Sequence, residues 1–536
     1  MSFDPQPDNG AARLSTNPSQ TPHFASLIFP SASRNISHVT SQLSARTLSI
    51  KNRLHSIDSD AKFVQDVAVT YPRCAVLANE RCGGWYVEDG LKGTSFARVD
   101  EDVAGQASLE EEQKRRARGS VYFKSTDGHT GVWSFNLRRI NLSLLDVLGE
   151  FGGAIIVDST RRGKHIPDAL SKTIPIWCAV MNRLLFPESE FSAYHHIARL
   201  PEWISESEHA QMEARLDSFV ESAKTLDLPL HVLLNTLRSK PIRPTFIARS
   251  LDLHPLPPAA SSAQPSVDSL PYHPLYLTMA SQYQATSYDE VNTGYVQGAG
   301  DDNEMWSQGL TSGMWWKHRE ELLAAGEEEV KELIEQIVQL ERKSSGMMSL
   351  VDVTGTEGRL KLGGLPITDQ VIDEVCNDRE ATGAAMIVCC PTEKELEESI
   401  SIESRKKLGK RMLWLACGTG KAGSKALRKE LLKVPHFISS IASPRGGATD
   451  TLPPQNSFKI LVVDTEGGKD IAIGVALALL ALYSGENGRI DWNTQTPDEL
   501  DKAVLRKKLS WITTSMPLAN PSRATLNAVN ECLFRR

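Results

Sequence analysis

The sequence lacks paired cysteine motifs and long apolar runs. None of its eight cysteines forms a C-x-x-C pair, which argues against a zinc site and for a reducing compartment. No apolar run reaches the roughly 18 to 20 residues of a membrane-spanning helix. The N-terminus lacks the charged-then-apolar layout of a secretion signal. We therefore expect a cytoplasmic protein that does not bind membranes, and the sequence leaves its oligomeric state open.

A strong net charge is also missing. The chain carries 59 basic and 66 acidic residues, and its net charge of -7 does not by itself indicate a nucleic-acid-binding protein. The basic residues are unevenly spread, however, because residues 114–172 contain eleven Lys or Arg and only five Asp or Glu. This local surplus suits a phosphate-rich partner, although a solvated protein face produces the same pattern.

A chain of 536 residues is too long for a single hydrophobic core. Residues 1–30 are rich in Pro, Ser, Asn and Gln, and we interpret them as a disordered tail. We expect an N-terminal mixed α+β domain over residues 31–345, with a Pro- and Ser-rich loop at 253–274. Residues 346–536 alternate strand-like and helix-like runs, which predicts a C-terminal α/β domain with a mostly parallel sheet.

Apolar runs and helical periodicity predict the individual elements. The predicted strands lie on both sides of a polar segment within residues 121–135, and at 154–157, 384–390, 412–417 and 460–464. The predicted helices lie at 142–148, 175–186, 206–226, 319–342, 393–400, 425–432, 470–483, 498–509 and 521–534.

A first polar cluster lies between the two strands predicted within residues 121–135. Its members are Lys124, Ser125, Thr126, Asp127 and His129. A hydroxyl nucleophile needs a group that accepts its proton, so Asp127 and His129 are candidate catalytic residues. The Lys, Ser and Thr side chains are candidate phosphate ligands. The alternative is that Asp127 and the following glycine form a hairpin turn.

A second polar cluster begins where the predicted strand 154–157 ends. Asp158 is a candidate catalytic carboxylate, or a structural partner of one of the arginines that follow it. Basic residues around both clusters would contact nucleic-acid phosphates. These residues are Arg138, Arg139, Arg161, Arg162, Lys164 and Lys172. If Arg138 and Arg139 lie on a strand, only one of them faces solvent.

A glycine-bearing loop is the sharpest candidate site of the C-terminal domain. It follows a predicted strand that ends at Asp464 and precedes a predicted helix. The loop consists of Thr465, Glu466, Gly467, Gly468, Lys469 and Asp470. Backbone amides of such a loop and the start of the next helix attract anions, and Lys469 adds a full positive charge. An ordinary strand–turn–helix connection would also use glycines here.

Two further loops carry weaker signals. Residues 417–425 form a glycine-rich loop after a predicted strand, but they lack the spacing of a nucleotide-binding P-loop. Asp301 and Asp302 are adjacent carboxylates in a glycine-flanked segment. They are candidate magnesium ligands, and helix capping or turn formation is the alternative.

Several long segments resemble the initiator tRNA 2'-O-ribosylphosphate transferases. They are YFKSTDGHTGVWSFNLRRIN, GGAIIVDSTRRGKHIPDALSKTIPIWCAVMNR, GYVQGAGDDNEMWSQGLTSGMWW, KILVVDTEGGKDIAIGVALALLALY and NPSRATLNAVN. The resemblance implies transfer of 5-phosphoribosyl from phosphoribosyl pyrophosphate to the ribose 2'-OH of adenosine 64 in initiator methionine tRNA. It also implies a magnesium requirement, and the RNA duplex would be recognised mainly by its shape.

The C-terminal loop is also similar to two known phosphate-binding arrangements. Dual-specificity phosphatases have a cysteine at the end of the strand and an arginine at the start of the helix, where this chain has Asp464 and Asp470. That similarity implies a phosphatase-like domain without phosphatase activity, because the thiolate nucleophile is missing. Phosphoribosyltransferases have an acidic pair there, which Asp464 and Glu466 imitate with imperfect spacing.

The resemblances leave the position of the donor open. The donor phosphates would lie at residues 465–469, with Asp464 among the catalytic carboxylates, or at residues 124–129. A non-catalytic RNA- or phosphate-binding module with an inactive phosphatase fold is the alternative function. An active phosphatase that uses Cys417 is disfavoured, because its loop has no arginine at the required place.

Overall fold

The computed structural model describes residues 48–98, 115, 118–198, 201, 204–249, 267–284, 294–344, 350–364, 368–369, 372–373, 384–390, 400–418, 420–442, 458–464, 468–495 and 500–534. Two five-stranded sheets organise these residues. One sheet lies in residues 48–344, the N-terminal half, and the other lies in residues 350–534, the C-terminal half.

The N-terminal sheet is parallel throughout its paired strands. Its strands are β1 (Ala75–Asn79), β2 (Ser120–Val121), β3 (Ala154–Asp158), β4 (Ile242–Ala248) and β5 (His273–Met279). They are arranged in the order β2-β1-β3-β5-β4. The sequence predicts a mixed α+β arrangement for this half, and the parallel pairing of its described strands corrects that prediction to α/β.

Helices cover both faces of the N-terminal sheet. They are α1 (Ile50–Thr70), α2 (Ser143–Phe151), α3 (Ile174–Leu185), α4 (Glu206–Glu213), α5 (Leu216–Lys224), α6 (Leu230–Thr236), α7 (Asn303–Trp306), α8 (Ser312–Lys317), α9 (Arg319–Ala324) and α10 (Glu329–Ser344). Alternate residues of β3 enter different cores: Ile156 packs in the core that includes α2 and α3, and Ile155 packs in the core that includes α1 and α10. Burial on both faces explains why β3 is a continuous apolar run.

The C-terminal sheet is mostly parallel, as the sequence predicts. Its strands are β6 (Val351–Asp352), β7 (Leu360–Gly364), β8 (Ala385–Cys390), β9 (Met412–Ala416) and β10 (Ile460–Asp464), in the order β6-β7-β10-β8-β9. Only the pairing of β6 with β7 is antiparallel among the described strands. Its helices are α11 (Ile402–Leu408), α12 (Gly420–Glu430), α13 (Lys433–Ala442), α14 (Ile471–Tyr483), α15 (Lys502–Ser515) and α16 (Arg523–Phe534).

Helix α14 is the centre of the C-terminal half. All of its thirteen residues are buried, and it packs against β7, β10, α15 and α16. A helix enclosed on every side needs no polar face, which explains its uniformly apolar sequence. No helix in the described ranges combines the length and apolar character that crossing a bilayer requires.

Three predicted elements differ from the structure. Within residues 121–135 the only described strand is β2, and a 3-10 turn at Ser125–Gly128 replaces the expected loop between two strands. The helix predicted at 206–226 is divided into α4 and α5. The helix predicted at 319–342 breaks after α9, where Glu329 accepts a hydrogen bond from the Gly326 amide at 2.9 Å and so begins a new helix.

Several predictions lie outside the described residues. They concern the tail at 1–30, the helix at 393–400 and most of the Pro- and Ser-rich segment at 253–274. The end of that last segment is described, and His273 there begins β5 instead of continuing a loop.

Candidate functional site

Charged side chains converge at the carboxyl end of the N-terminal sheet, where β1 and β3 end side by side. Asp158, the last residue of β3, is fully buried. It accepts hydrogen bonds from the Asn79 amide at 2.8 Å and from the Cys82 thiol at 3.0 Å. The Arg81 guanidinium lies 3.4 Å from Asp158 and 3.1 Å from Asp301. We call this group the carboxylate cluster: Asn79, Arg81, Cys82, Asp158 and Asp301.

Burial and charge oppose each other in the carboxylate cluster. Burial alone would lower the pKa of Arg81, but the neighbouring Asp158, Cys82 and Asp301 raise it overall. Burial raises the pKa of the Cys82 thiol well above its ordinary value, so this thiol is protonated and is not an activated nucleophile. Asp158 thus has the structural ion pair that the sequence allowed for, but its partner is Arg81 and not one of the arginines that follow it.

The two candidate magnesium ligands do not face one site. Asp301 is buried against Arg81, whereas Asp302 is exposed and has left-handed backbone geometry with φ 48°. Burial raises the pKa of Asp301, and Arg81 acts against that rise. A magnesium ion would have to displace the guanidinium, so Asp301 and Asp302 do not fit the metal site that the sequence predicts. Among the described residues, no three His, Cys, Asp or Glu side chains are grouped as a metal ligand set.

The loop after β3 presents basic side chains to solvent. Arg161, Arg162 and Lys164 are all exposed. The glycine-rich segment 294–300 supports this loop, because Gln297 donates a hydrogen bond to the Lys164 carbonyl at 2.8 Å. Gly298 has φ 68°, and a Cβ atom there would lie 2.6 Å from the Thr160 carbonyl oxygen. Glycine is therefore required at this close approach.

Asp127 is tied into its own loop. It accepts a hydrogen bond from the Ser134 hydroxyl at 3.1 Å and from the Asn136 amide at 3.0 Å. The predicted hairpin turn is absent, and the 3-10 turn described above takes its place. Thr126 and His129 are exposed, and His129 Nε2 lies 3.6 Å from Asp168. The turn therefore presents polar groups to solvent while Asp127 stabilises its shape.

Lys172 does not fit the RNA contact that the sequence predicts. It lies in a π-helical turn, Ala169–Thr173, and is only 6% exposed. Its ammonium group donates to Glu208 at 2.7 Å and to the Thr130 hydroxyl at 3.1 Å. The ion pair with Glu208 and the hydrogen bond to Thr130 therefore connect α4 to the first polar cluster, and Glu208 neutralises the charge of Lys172.

A small cleft, open to solvent, lies between the two halves. We call it the inter-half cleft. It is lined by Lys124, Asn136, Arg138, Arg139, Thr513, Asn520 and Pro521. Arg139 donates to the Asn520 side-chain oxygen at 2.7 Å, and Lys124 Nζ lies 3.5 Å from the same oxygen. The Arg139 guanidinium also stacks 3.7 Å from the centre of the Tyr122 ring.

The inter-half cleft carries excess positive charge. Burial lowers the pKa of Lys124, and neighbouring Arg139 lowers it further. Burial likewise lowers the pKa of Arg139, with Arg138 adding to the effect and Asp127 opposing it. Arg138 is exposed whereas Arg139 is 8% exposed, so one arginine faces solvent as predicted, although both follow a turn and not a strand.

The described part of the C-terminal loop contacts Asn520, a lining residue of the inter-half cleft. The backbone amide of Asn520 donates to the Lys469 carbonyl at 2.7 Å, and the side chain of Asn520 accepts from Arg139. This one residue therefore contacts both the C-terminal loop and a cation of the N-terminal half. Gly468 has φ 72°, and a Cβ atom there would lie 2.4 Å from the Gly363 carbonyl carbon. Asp470 accepts from the Ser522 amide at 2.8 Å, which fixes the loop to the start of α16. Its carboxylate is therefore used in a structural contact.

The exposed Lys469 side chain also acts on the N-terminal half. Burial would raise the pKa of Glu80, at the end of β1, but Lys92, Ser120 and, more weakly, Lys469 lower it overall. Asp464, the last residue of β10, is 4% exposed. The remaining loop residues of the sequence prediction lie outside the described residues: Thr465, Glu466 and Gly467.

Sequence reasoning missed two residues that organise these sites. Arg81 lies two residues after Asn79, the polar last residue of β1, as Asp158 is the polar last residue of β3, so the same apolar-then-polar pattern could have found it. Asn520 lies in the segment NPSRATLNAVN, which resembled the transferase family, but its role depends on partners that are distant in sequence. The structure brings Lys124, Arg139 and the Lys469 loop together through Asn520.

Comparisons with known proteins agree with this division into halves. The family model described as the Rit1 N-terminal domain matches residues 43–99 and 109–339, and the Rit1 DUSP-like domain matches residues 411–533. An uncharacterised protein of Schizosaccharomyces pombe is 33% identical over 90% of this chain and 94% of its own length. No solved structure matches.

A second relative has a named activity. The tRNA A64-2'-O-ribosylphosphate transferase of Saccharomyces cerevisiae is 31% identical over 93% of this chain and 95% of its own length. The two family models together cover more than half of the chain, and both relatives align across its two sheets. The chain therefore belongs to the Rit1 family, the family of the tRNA A64-2'-O-ribosylphosphate transferase.

Proposed function

We propose that this protein is a transferase that moves 5-phosphoribosyl from phosphoribosyl pyrophosphate to the ribose 2'-OH of adenosine 64 in initiator methionine tRNA. The bulky phosphate would distinguish initiator from elongator tRNA. Family membership supports the reaction class. The contact of Asn520 with both the Lys469 loop and Arg139 is the observation that carries the proposal, because it joins the two candidate phosphate-binding regions.

The reaction exchanges one bond at the ribose C1 for another. The bond from C1 to pyrophosphate breaks, the acceptor 2'-oxygen bonds to C1, and its proton passes to a base. Asp127 and His129 are our candidates for the base, because Asp127 lies in the 3-10 turn that begins directly after Lys124, a lining residue of the inter-half cleft, and His129 directly follows that turn. Asp158 and Asp464 remain candidate carboxylates near the developing positive charge, although the hydrogen bonds of Asp158 favour a structural role.

The donor pyrophosphate would lie at the C-terminal loop, residues 465–470, with Lys469 as its charged ligand. The exposed side chains of Arg161, Arg162 and Lys164 would contact the phosphates of the tRNA. Magnesium would enter with the pyrophosphate as part of the substrate, and we assign no protein ligand to it. Loss of transfer after chelation, with recovery on adding magnesium, would support this requirement, and unchanged transfer would contradict it.

The C-terminal half would then be a phosphatase-like domain that has no phosphatase activity. Asp464 occupies the end of β10, where a phosphatase would need its thiolate, and Cys417 is buried. We place the boundary between the two domains near residue 345 and the reaction in the cytoplasm. Hydrolysis of p-nitrophenyl phosphate by the purified chain would contradict the inactive phosphatase assignment.

The direct test is a mixture of labelled phosphoribosyl pyrophosphate, magnesium, the purified chain and unmodified initiator tRNA. We expect label at residue 64 of the tRNA. Initiator tRNA with a 2'-O-methyl group at that residue is the matched control and should accept no label. Donor and tRNA that both bind without label transfer would instead indicate a binding module.

A further inference from the structure

We propose that the inter-half cleft is a binding site for a terminal phosphate group, anchored by Arg139 and positioned by Asn520. The argument for an anion site uses only the geometry and charge of the cleft. The origin of the phosphate, the 5-phosphate of the ribosyl donor, rests on the proposed function.

Arg139 lines the cleft and carries a donor that has no hydrogen-bond partner among the described residues. Its side chain is more than nine-tenths buried, and its Nη2 is occupied by Asn520. Its Nη1 is buried and has no hydrogen-bond partner within the described part of the chain. Buried charged donors are almost always satisfied, because an unmade hydrogen bond there is costly. An anion in the cleft would supply the missing acceptor.

The charge of the cleft indicates which kind of phosphate fits. Lys124, Arg138 and Arg139 contribute three positive charges, and Asp127 is the carboxylate that acts on Lys124 and Arg139. The balance is about two positive charges. A phosphate monoester carries nearly two negative charges at neutral pH, whereas each phosphodiester of RNA carries one. A terminal phosphate therefore matches the site better than the RNA backbone does.

Asn520 positions these cations without cancelling their charge. Its side-chain oxygen accepts from Arg139 at 2.7 Å and lies 3.5 Å from Lys124 Nζ. An aspartate, which has the same shape, would make similar contacts, but its negative charge would lower the net positive charge of the site by one. Its backbone amide holds the Lys469 carbonyl at 2.7 Å, so the phosphate site is fixed relative to the C-terminal loop. Asn520 is thus a positioning residue that links the two halves.

The test measures binding of ribose 5-phosphate and, separately, of a T-stem RNA duplex to the full chain by calorimetry. We expect ribose 5-phosphate to bind and ribose without phosphate not to bind. Asn520→Asp and Arg139→Met should each weaken ribose 5-phosphate at least tenfold. Arg243→Met is the matched control, because Arg243 is exposed and also lies over a tyrosine ring, 5.0 Å from the centre of Tyr272. The Arg243→Met variant should bind ribose 5-phosphate as tightly as the unsubstituted protein does.

Three outcomes would decide the proposal. A loss confined to ribose 5-phosphate supports the terminal phosphate site. A loss confined to the RNA duplex would overturn the monoester assignment in favour of an RNA phosphodiester. Unchanged affinity for both probes would overturn the site itself. Asn520→Asp should raise the unfolding midpoint, which shows that this variant is folded even if Arg139→Met is not. None of these measurements requires transfer activity, so the proposal and the transferase function can fail separately.

Discussion

The carboxylate cluster and the inter-half cleft both gather buried charge, and they differ in how that charge is balanced. In the cluster, Arg81 lies between Asp158 and Asp301, and the carboxylate of Asp158 is also satisfied by Asn79 and Cys82. In the cleft, Arg139 donates to the neutral side chain of Asn520, and its Nη1 has no hydrogen-bond partner among the described residues. The cation of the cluster is paired with two carboxylates, so the cluster is suited to structure, whereas the cleft has excess positive charge and is suited to an anionic ligand.

The largest expected effect tests whether the carboxylate cluster stabilises the fold. Asp158→Ala removes a fully buried carboxylate and leaves Arg81, Asn79 and Cys82 without their shared acceptor. We expect the free energy of unfolding to fall by about 3–5 kcal/mol, as when one partner of a buried ion pair is removed. Urea unfolding measures this change. The exposed neighbour of Asp301 is the control, and Asp302→Asn, which keeps a residue suited to left-handed backbone geometry, should change stability by less than about 0.5 kcal/mol.

A third buried cation sharpens the comparison through pH. Lys508 is 4% exposed, and within the described part of the chain it donates to neutral oxygens of Leu480 and Ser484, at 2.7 to 2.9 Å. Burial, with a smaller effect of Lys507, lowers its pKa to about 8. The unfolded chain therefore binds the extra proton more tightly, and stability relative to Lys508→Met should rise as pH increases from about 8 to about 10.5. Over this pH range the free energy of unfolding, relative to that of Lys508→Met, should rise by about 3 kcal/mol. A pH-independent difference between the two proteins would contradict this prediction.

A substitution of Lys469 tests whether the C-terminal loop binds the anionic donor together with the inter-half cleft. Lys469→Ala removes an exposed cation from the loop that Asn520 holds. We expect kcat/KM for the labelled donor to fall about 10- to 100-fold, equivalent to about 1.4–2.7 kcal/mol. Lys425→Ala removes an exposed cation elsewhere in the same half and should leave kcat/KM unchanged. Equal effects of the two substitutions would show that the loop has no special role.

The smallest expected effect concerns the stability of the free protein. Arg139→Met removes a buried cation that makes no salt bridge with the described carboxylates and keeps an apolar side chain over Tyr122. We expect the free energy of unfolding to stay within about 1 kcal/mol of wild type, because loss of the stacking and of the Asn520 contact is offset by relief of charge repulsion. A loss as large as that of Asp158→Ala would mean that both clusters are structural.

The sequence predicted those strands and helices whose composition is unambiguous. β8 is apolar throughout, β3 and β10 are apolar up to their last residue, and α14 is apolar over thirteen residues. β4 and β5 were missed, because each contains a proline and a polar residue, and β5 follows a Pro-rich segment. Pro244 is tolerated because β4 is an edge strand of the sheet.

The candidate site was less predictable than the fold. Local patterns identified the exposed loop of Arg161 and the turn that contains Lys124. They could not identify Arg81 as the partner of Asp158, or Asn520 as the contact between the Lys469 loop and Arg139, because these partners are brought together only by the packing of the chain. The same limit applies to Lys172, whose charge is used by Glu208 from another helix.

The most direct test of the unbalanced charge in the cleft is a crystal structure of the protein soaked with ribose 5-phosphate. The predicted result is a phosphate group within hydrogen-bond distance of Arg139 Nη1 and Lys124 Nζ, with the Asn520 contacts retained. Phosphate density elsewhere on the chain, with Arg139 Nη1 still without an acceptor, would contradict this account.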